Sequence, residues 1–323
     1  MVSNPSVSLP PHGGILLLDK DEGWTSHDAV AKSRRAFGTR KVGHAGTLDP
    51  MATGLLVLGA GPATRLLTHL VGLDKTYTTT IRLGIATVTD DREGEPTAVA
   101  DSAAVAAVLA NPAQIAAEVL ALTGDIEQAP SAVSAIKVDG QRAYDRVRAG
   151  EAVELKRRPV TIHEFEIAAP RAATADDGTA VIDIDATVRC STGTYIRALA
   201  RDLGAALGIG GHLIALRRTA VGPFAVTDAG TIEQLMSGAR AEVLEPARVA
   251  TALFPELRFD AQQTLDLGHG KRVNVGDVPD AKLAAATNPD GVLIGLVEVS
   301  RGRTRVVTNF PTVPNATEAG GAA

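Results

Sequence analysis

Residues Lys41–Gly61 read KVGHAGTLDPMATGLLVLGAG. The stretch holds one carboxylate, Asp49, between two glycine-rich apolar runs, with basic residues behind it and no acid close by. Gly43, Gly46 and Gly54 permit tight backbone turns, and Pro50 fixes the φ angle that follows the aspartate. An ordinary Asp-Pro turn accounts for part of this pattern, because Asp is a common turn residue. A rigidly held carboxylate that works without a cofactor, as nucleophile or as general acid/base, accounts for it too. Such an acid must stay ionised, which local N–H groups and a nearby guanidinium can secure.

The neighbouring segments set the fold around this loop. Upstream, GGILLLDK reads as a strand ending in Lys20, and SHDAVAKSRRAF reads as a helix with Ser26 as N-cap and Val30 and Ala31 turned inward. Downstream, GLLVLGAG is a short buried strand, PATRLLTHL opens a helix at Pro62, and KTYTTTIRLGI alternates as a strand. Residues 101–122 form a helical pair split at Asn111-Pro112, and SAVSAIKVDGQRAYDRVRAG reads as strand, turn and a helix ending at Gly150. VTIHEFEIA and AVIDIDATVRC alternate as strands, TYIRALARDLGAALG is an amphipathic helix, and HLIALRRTAVGPF is a strand. Interspersed helices with strands of alternating polarity imply an α+β fold: a mixed, largely antiparallel sheet with flanking helices. Past Glu245 the texture changes to short strands with glycine turns, the mark of a small β-rich domain. The expected division is a flexible N-terminus (1–13), a main domain (14–248), a small C-terminal domain (249–311) and a disordered tail (312–323).

Composition narrows the function classes. The chain has 323 residues, 45% of them hydrophobic, enough for a real core. One cysteine, Cys190, excludes an internal disulfide framework, fits a reducing compartment and reads as a small packed thiol. The N-terminus lacks the pattern of a secretory signal and no apolar run reaches the length of a membrane span, so a cytoplasmic protein is expected. The seven histidines show no metal-ligand spacing, and the glycine-rich runs match neither a dinucleotide fingerprint nor a P-loop. No nucleophile elbow is present. Neither a metal nor a cofactor is expected.

Net charge is −5, but the charges are segregated. Lys32, Arg34, Arg35, Arg40 and Lys41 fall in a stretch from Ala29 to Leu48 that has no acid. Residues 84–128 carry eight acids and one base, Arg92. Residues 188–218 carry Arg189, Arg197, Arg201, Arg217 and Arg218 against Asp202 alone. Local basic surfaces decide whether phosphates are attracted, so a nucleic-acid partner stays open despite the total.

Several motifs are specific. GHAGTLDPMATGLLVLGAGPATRLL resembles the signature of the TruB family, the bacterial tRNA pseudouridine-55 synthases. LLLDKDEGWTSHDAV resembles the family's lysine-containing N-terminal motif, with Asp21 where Pro is usual. DKTYTTTIRLG, QAPSAVSAIKVDGQRAY, CSTGTYIRALARDLG and HLIALRRTAVGPF resemble four further motifs in the family's order, so the likeness covers residues 14 to 225. Val133 departs from the aromatic or histidine often found there, and the 88–128 region is longer and richer in alanine than a minimal member needs.

The resemblance implies a pseudouridine synthase fold with a PUA-like RNA-binding domain at the C-terminus. It implies an isomerase that turns the uridine at position 55, in the tRNA T-loop, into pseudouridine without cofactor or metal. Asp49 takes the place of the catalytic aspartate. Tyr77 would stack on the target base and Leu216 would wall it. Tyr195 and Arg197, two residues apart, would share a face if the backbone there is extended, and Arg197 would pair with Asp49. His44 would fill the space left by the extruded base, Lys20 would support the site, and Gly46 and Thr47 would line it. Lys32, Arg34, Arg35, Arg40 and Lys41 would follow the T-arm phosphates, while the acidic 84–128 region would face away or border an insertion. The expected partner is tRNA, with no membrane, and nothing demands more than a monomer. The competing reading is an RNA-binding or RNA-folding protein whose chemistry is dispensable.

Overall fold

The computed structural model describes residues 7–131, 137–138, 141–142, 156–238 and 242–310. The chain forms two compact units, one comprising Met1–Asp49, Leu55–Val71 and Pro223–Ala323, the other Pro50–Gly54 and Gly72–Gly222. Among the described residues no single helix is long and apolar enough to cross a membrane.

The first unit starts with β1 (Gly14–Lys20), whose ILLL run is buried on both faces. Helix α1 (Ser26–Phe37) follows, then β2 (Val42–His44), β3 (Thr53–Ala60) and α2 (Leu67–Val71). β1 lies beside β3, and β2 folds back antiparallel on β3 with His44 opposite Leu58. Further along the chain, Gly230–Thr231 adds to β1 in parallel and Val243–Leu244 antiparallel. The N-cap of α1 is Thr25, not Ser26. Thr25 accepts from the Asp28 N–H and Asp28 returns a bond to the Thr25 N–H, a complete capping box. Ser26 is therefore the first helical residue, and its side chain is buried. The inward face is Ser26, Ala29, Val30, Ser33, Ala36 and Phe37, a helical stripe that leaves the expected Ala31 exposed.

The second unit contains β4 (Lys75–Leu83), the bent helix pair α3 (Ser102–Leu109) and α4 (Pro112–Ala121), β5 (Gly124–Gln128), β6 (Arg158–Ile167), β7 (Ala180–Cys190), α5 (Ile196–Ala206) and β8 (Gly211–Val221). Its strands run in the order β8, β4, β7, β6, β5, with Thr53 and Gly54, the first two residues of β3 and part of this unit, paired to the outer side of β8. Only the β3–β8 pairing, at Thr53 and Gly54, is parallel; the other four are antiparallel. The mixed, largely antiparallel sheet read from the alternating strands is thus what forms. The expected helix ending at Gly150 and the C-terminal tail lie outside the described residues, as does Val133.

The C-terminal part is β-rich. β9 (Glu256–Arg258), β10 (Ala281–Thr287), β11 (Leu293–Ser300) and β12 (Arg303–Asn309) form a four-stranded sheet in that order. It has its own core of Phe259, Leu267, Val273, Ala284, Ala286, Ile294, Val297 and Val299.

Candidate functional site

In the first unit the chain enters the Asp49 loop from β2. Ala45 N–H donates to the Val57 carbonyl at 2.9 Å, and Gly46 takes φ 103°, a left-handed conformation that suits glycine. Gly43, by contrast, is a strand residue, and a Cβ there would press on Leu67. Thr47 is exposed, Leu48 is buried and Asp49 is half-buried. The step before Asp49 is clamped by Ser26. Its hydroxyl accepts from the Leu48 N–H at 2.9 Å and donates to the Leu48 carbonyl at 3.1 Å, so one side chain satisfies both backbone groups. Lys20, 2% exposed, donates from Nζ to the carbonyls of Asp21 (2.9 Å) and Trp24 (2.7 Å) and ties down the turn from β1 into α1. His44 is half-buried, its ring edge-on to that of His27 with centroids 6.1 Å apart.

The second unit places Tyr77 on the buried face of β4, opposite Arg218 of β8. Leu216 lies opposite Thr79, so Tyr77, Thr79, Leu216 and Arg218 share one face of the sheet. Gly54 approaches this row closely. Its φ is 99°, and a Cβ there would lie 2.3 Å from the Arg218 carbonyl oxygen.

Tyr195 and Arg197 do not share an extended face. Tyr195 is the N-cap of α5 and Arg197 sits in the first helical turn, so the period is that of a helix. Gln128 fixes the helix start: its amide accepts from the Tyr195 N–H at 2.8 Å and donates to the Tyr195 carbonyl at 3.0 Å. Arg197, 5% exposed, donates to the Thr89 carbonyl at 2.7 Å and to Asp91 Oδ2 at 3.1 Å. One turn on, Arg201 pairs with Asp90 at 3.0 Å. Asp90 is in the left-handed region at φ 59°, a conformation that Asp tolerates and that places two successive carboxylates against one helix. Burial raises Asp90's pKa despite the pull of Arg201 and Arg197.

These contacts correct two charge readings. The acidic 84–128 region does not simply face away, since Asp90 and Asp91 are buried against α5. The 188–218 run is not a free basic surface. Arg218 is 1% exposed, Arg197 is buried, Arg189 pairs with Glu164, and Arg201 with Asp90 and Asp202. The 32–41 cluster differs: Arg34, Arg35, Arg40 and Lys41 are exposed and Lys32 half-buried. Among the described residues no group of three or more His, Cys, Asp or Glu is arranged to hold a metal.

Sequence reading missed Ser26 as a clamp, and it missed Gln128, Asp91 and Lys75. Lys75 is 6% exposed and donates to the Leu73 carbonyl (2.6 Å) and to the Thr192 hydroxyl (3.1 Å) in the turn before Tyr195. Burial, aided by Arg218, lowers its pKa to about 8. The available signal was spacing: Lys75 and Tyr77 lie two apart on a strand and so share a face. Cys190, opposite Lys75 on β7, is buried, which pushes its thiol up to about 11.

Residues 34–196 match the family model "TruB family pseudouridylate synthase (N terminal domain)". Residues 197–256 match "tRNA pseudouridylate synthase B C-terminal domain", and 254–311 match "tRNA Pseudouridine synthase II, C terminal". The chain is 54% identical over 304 residues to the tRNA pseudouridine synthase B of Arthrobacter sp. (strain FB24), covering 92% of this chain and 96% of that one. It is 50% identical over 303 residues to the protein of that name from Thermobifida fusca (strain YX), covering 92% and 98%. Among solved structures, a chain of an H/ACA RNP bound to a substrate RNA containing 2'-deoxyuridine superposes with a TM-score of 0.65 at 21% identity, covering 96% of this chain and 92% of that one. A chain of an archaeal box H/ACA sRNP Nop10-Cbf5 complex gives a TM-score of 0.62 at 22% identity, covering 93% and 88%. At those identities the likeness establishes the fold.

Proposed function

The chain belongs to the TruB family of tRNA pseudouridine synthases, and we propose from that premise that it acts on the T-loop uridine at position 55 with Asp49 as its nucleophile. It is an isomerase that converts a uridine of tRNA to pseudouridine. The observation that carries this is identity above 50% along nearly the whole length of a tRNA pseudouridine synthase B. The rearrangement breaks the bond between the ribose carbon and N1, turns the base, and forms a bond from the same carbon to C5, which releases its proton while N1 takes one up. Atoms and electrons balance within the nucleotide, so the reaction calls for no oxidant, reductant or nucleotide cofactor.

The residue roles form one account. The T-arm uridine is extruded, at a cost of about a few kcal/mol for unstacking. His44 fills the vacated place in the RNA, and Tyr77 stacks on the extruded base, a contact worth about 1–3 kcal/mol. Leu216 walls the base, while Gly46 and Thr47 border the reacting nucleotide beside Asp49. Lys20 keeps the β1–α1 turn in place. Arg197 keeps Asp49 ionised, and Tyr195 begins the helix that carries Arg197. Lys32, Arg34, Arg35, Arg40 and Lys41 follow the phosphates and supply affinity without sequence information. The enzyme works as a cytoplasmic monomer whose C-terminal β-rich part, of PUA type, adds RNA contacts. The domain division 14–248 and 249–311 belongs to this proposal.

The test uses unmodified tRNA with tritium at C5 of uridine. Rejoining through C5 expels the tritium into water. Wild-type protein should release it from a transcript with a single labelled uridine at position 55, and Asp49→Ala should lower the rate by at least about 10²–10⁴-fold. Release that survives Asp49→Ala would overturn the nucleophile. Binding without release from wild type would leave an RNA-binding protein on a synthase fold.

A further inference from the structure

The chain has one tryptophan, Trp24, directly before the N-cap of α1. A residue at that position commonly packs inward against the first helical turns. Here it lines an outer groove of about 360 Å³ with Gly23, Asp28, Ala31, Lys32 and Arg35. The indole is half-buried, and the Lys32 ammonium rests over it 5.4 Å from the ring centre. Its backbone is fixed by the bond from buried Lys20 to the Trp24 carbonyl, so the platform is held from below by the same lysine that ties the turn. The groove's one acid, Asp28, is committed to the helix cap, accepting from Thr25 N–H (3.0 Å) and from the Thr25 hydroxyl (2.6 Å). Lys32 and Arg35 remain to face a ligand, at one end of the basic 32–41 cluster.

An aromatic face flanked by two flexible cations, in a protein with only ten Phe, Trp and Tyr residues, matches the chemistry of an unpaired nucleotide: a base to stack and a phosphate to pair. We infer that this groove is a second nucleotide subsite, which stacks an unpaired base of the tRNA, other than the uridine being isomerised, on Trp24 and meets its phosphate with Arg35 and Lys32. The inference rests on the tRNA reading above. The base displaces the Lys32 ammonium from the ring, because a cation over an exposed aromatic face is held less tightly than a stacked base. The released ammonium then turns to the phosphate.

A sole tryptophan makes the test direct. Emission of the full chain is followed while unmodified tRNA transcript, its isolated T-arm hairpin, or heparin (a polyanion without bases) is added. Saturable quenching is expected from tRNA, with the midpoint of binding measured by filter retention, and none from heparin. Quenching by the hairpin as well assigns the base to the T-arm, whereas quenching by full tRNA alone assigns it elsewhere in the molecule. Trp24→Ala should raise KM about five- to a hundredfold, the worth of one stacked base, with the effect falling in KM rather than kcat. Trp24→Phe should recover part of it. Arg35→Ala, an exposed change, should lower the salt slope of binding by about one. Emission unmoved at saturating tRNA, quenching by heparin equal to that by tRNA, or a wild-type KM in Trp24→Ala would each overturn the inference. Tritium release by wild type on the same transcript is read separately. Release with silent emission sinks this subsite alone, and quenching without release sinks the synthase reading alone.

Discussion

The backbone leading to Asp49 is held by a neutral hydroxyl, whereas Arg197 is held by a buried carboxylate. Ser26 closes on both backbone groups of Leu48 with bonds of 2.9 and 3.1 Å. Asp91 meets Arg197 at 3.1 Å, with side-chain exposures of 3% and 6%. The neutral clamp satisfies polar groups that folding has already buried. The ionic one must first offset the desolvation of two charges, so its net value is small while the loss of one partner is large. The second unit thus holds its cation in a way that costs little when whole and much when broken.

Removing Asp91 is the strongest way to break this comparison. Asp91→Ala removes the carboxylate that meets buried Arg197 at 3.1 Å and should cost about 3–5 kcal/mol of stability. Part of that comes from bonds unrelated to Arg197, since Asp91 also accepts from the Thr89 hydroxyl (2.5 Å) and the Glu93 N–H (3.0 Å). A double-mutant cycle with Arg197→Met cancels those and isolates the pair. Urea unfolding of the four proteins should give a coupling well above 1 kcal/mol. A coupling near zero would mean that groups other than Asp91, the Thr89 carbonyl among them, hold the guanidinium.

The neutral clamp should break more gently. Ser26→Ala leaves the Leu48 N–H and carbonyl without their hydroxyl and should cost about 1–3 kcal/mol. On the proposed mechanism it should also lower kcat, because the residue released is one removed from Asp49. Thr25→Ala serves as the neighbouring control. It removes a helix cap worth about 1 kcal/mol without touching Leu48, so it should lower stability and leave kcat near wild type. Equal effects of the two changes on kcat would show that α1 as a whole, not the Ser26 bond, positions the loop.

What the sequence disclosed follows the same division. The Asp49 loop was legible because its signals are local: Gly46, Asp49, Pro50 and Gly54 all lie within one short stretch. Strand alternation in KTYTTTIRLGI and AVIDIDATVRC was legible for the same reason, and it fixed the mixed sheet. Ser26 was misread because cap and first-turn residues differ by one position, and Thr25 and Ser26 are both good caps; the Asp28 partner three residues after Thr25 decided between them. Asp91 was not legible at all. It lies 106 residues from Arg197, inside a run whose many acids suggested a solvated face. Nothing in a linear charge count distinguishes a carboxylate that will be buried against a helix from one that will not. Gln128 reaching Tyr195 across 67 residues was hidden in the same way.

Lys75 offers a finer test, because it is a buried cation that donates to two neutral groups, the Leu73 carbonyl and the Thr192 hydroxyl. Its pKa is about 8 in the folded chain, against an ordinary value of 10.5. Between those values the unfolded chain binds the proton and the folded chain does not, so this group makes stability rise with pH across that window. Below about pH 8 the ammonium is present in both states and the full penalty of burying it applies. Above about 10.5 neither state carries it and the dependence ends. Lys75→Met removes the titration, so urea midpoints measured from pH 7.5 to 10 should climb less steeply for the variant than for wild type. The variant's advantage should be greatest at the acid end and shrink as pH rises. Parallel curves would mean that the lysine keeps its proton through the window, held by anionic partners as Arg197 is by Asp91, and the contrast between a neutral and an ionic grip would not extend to it.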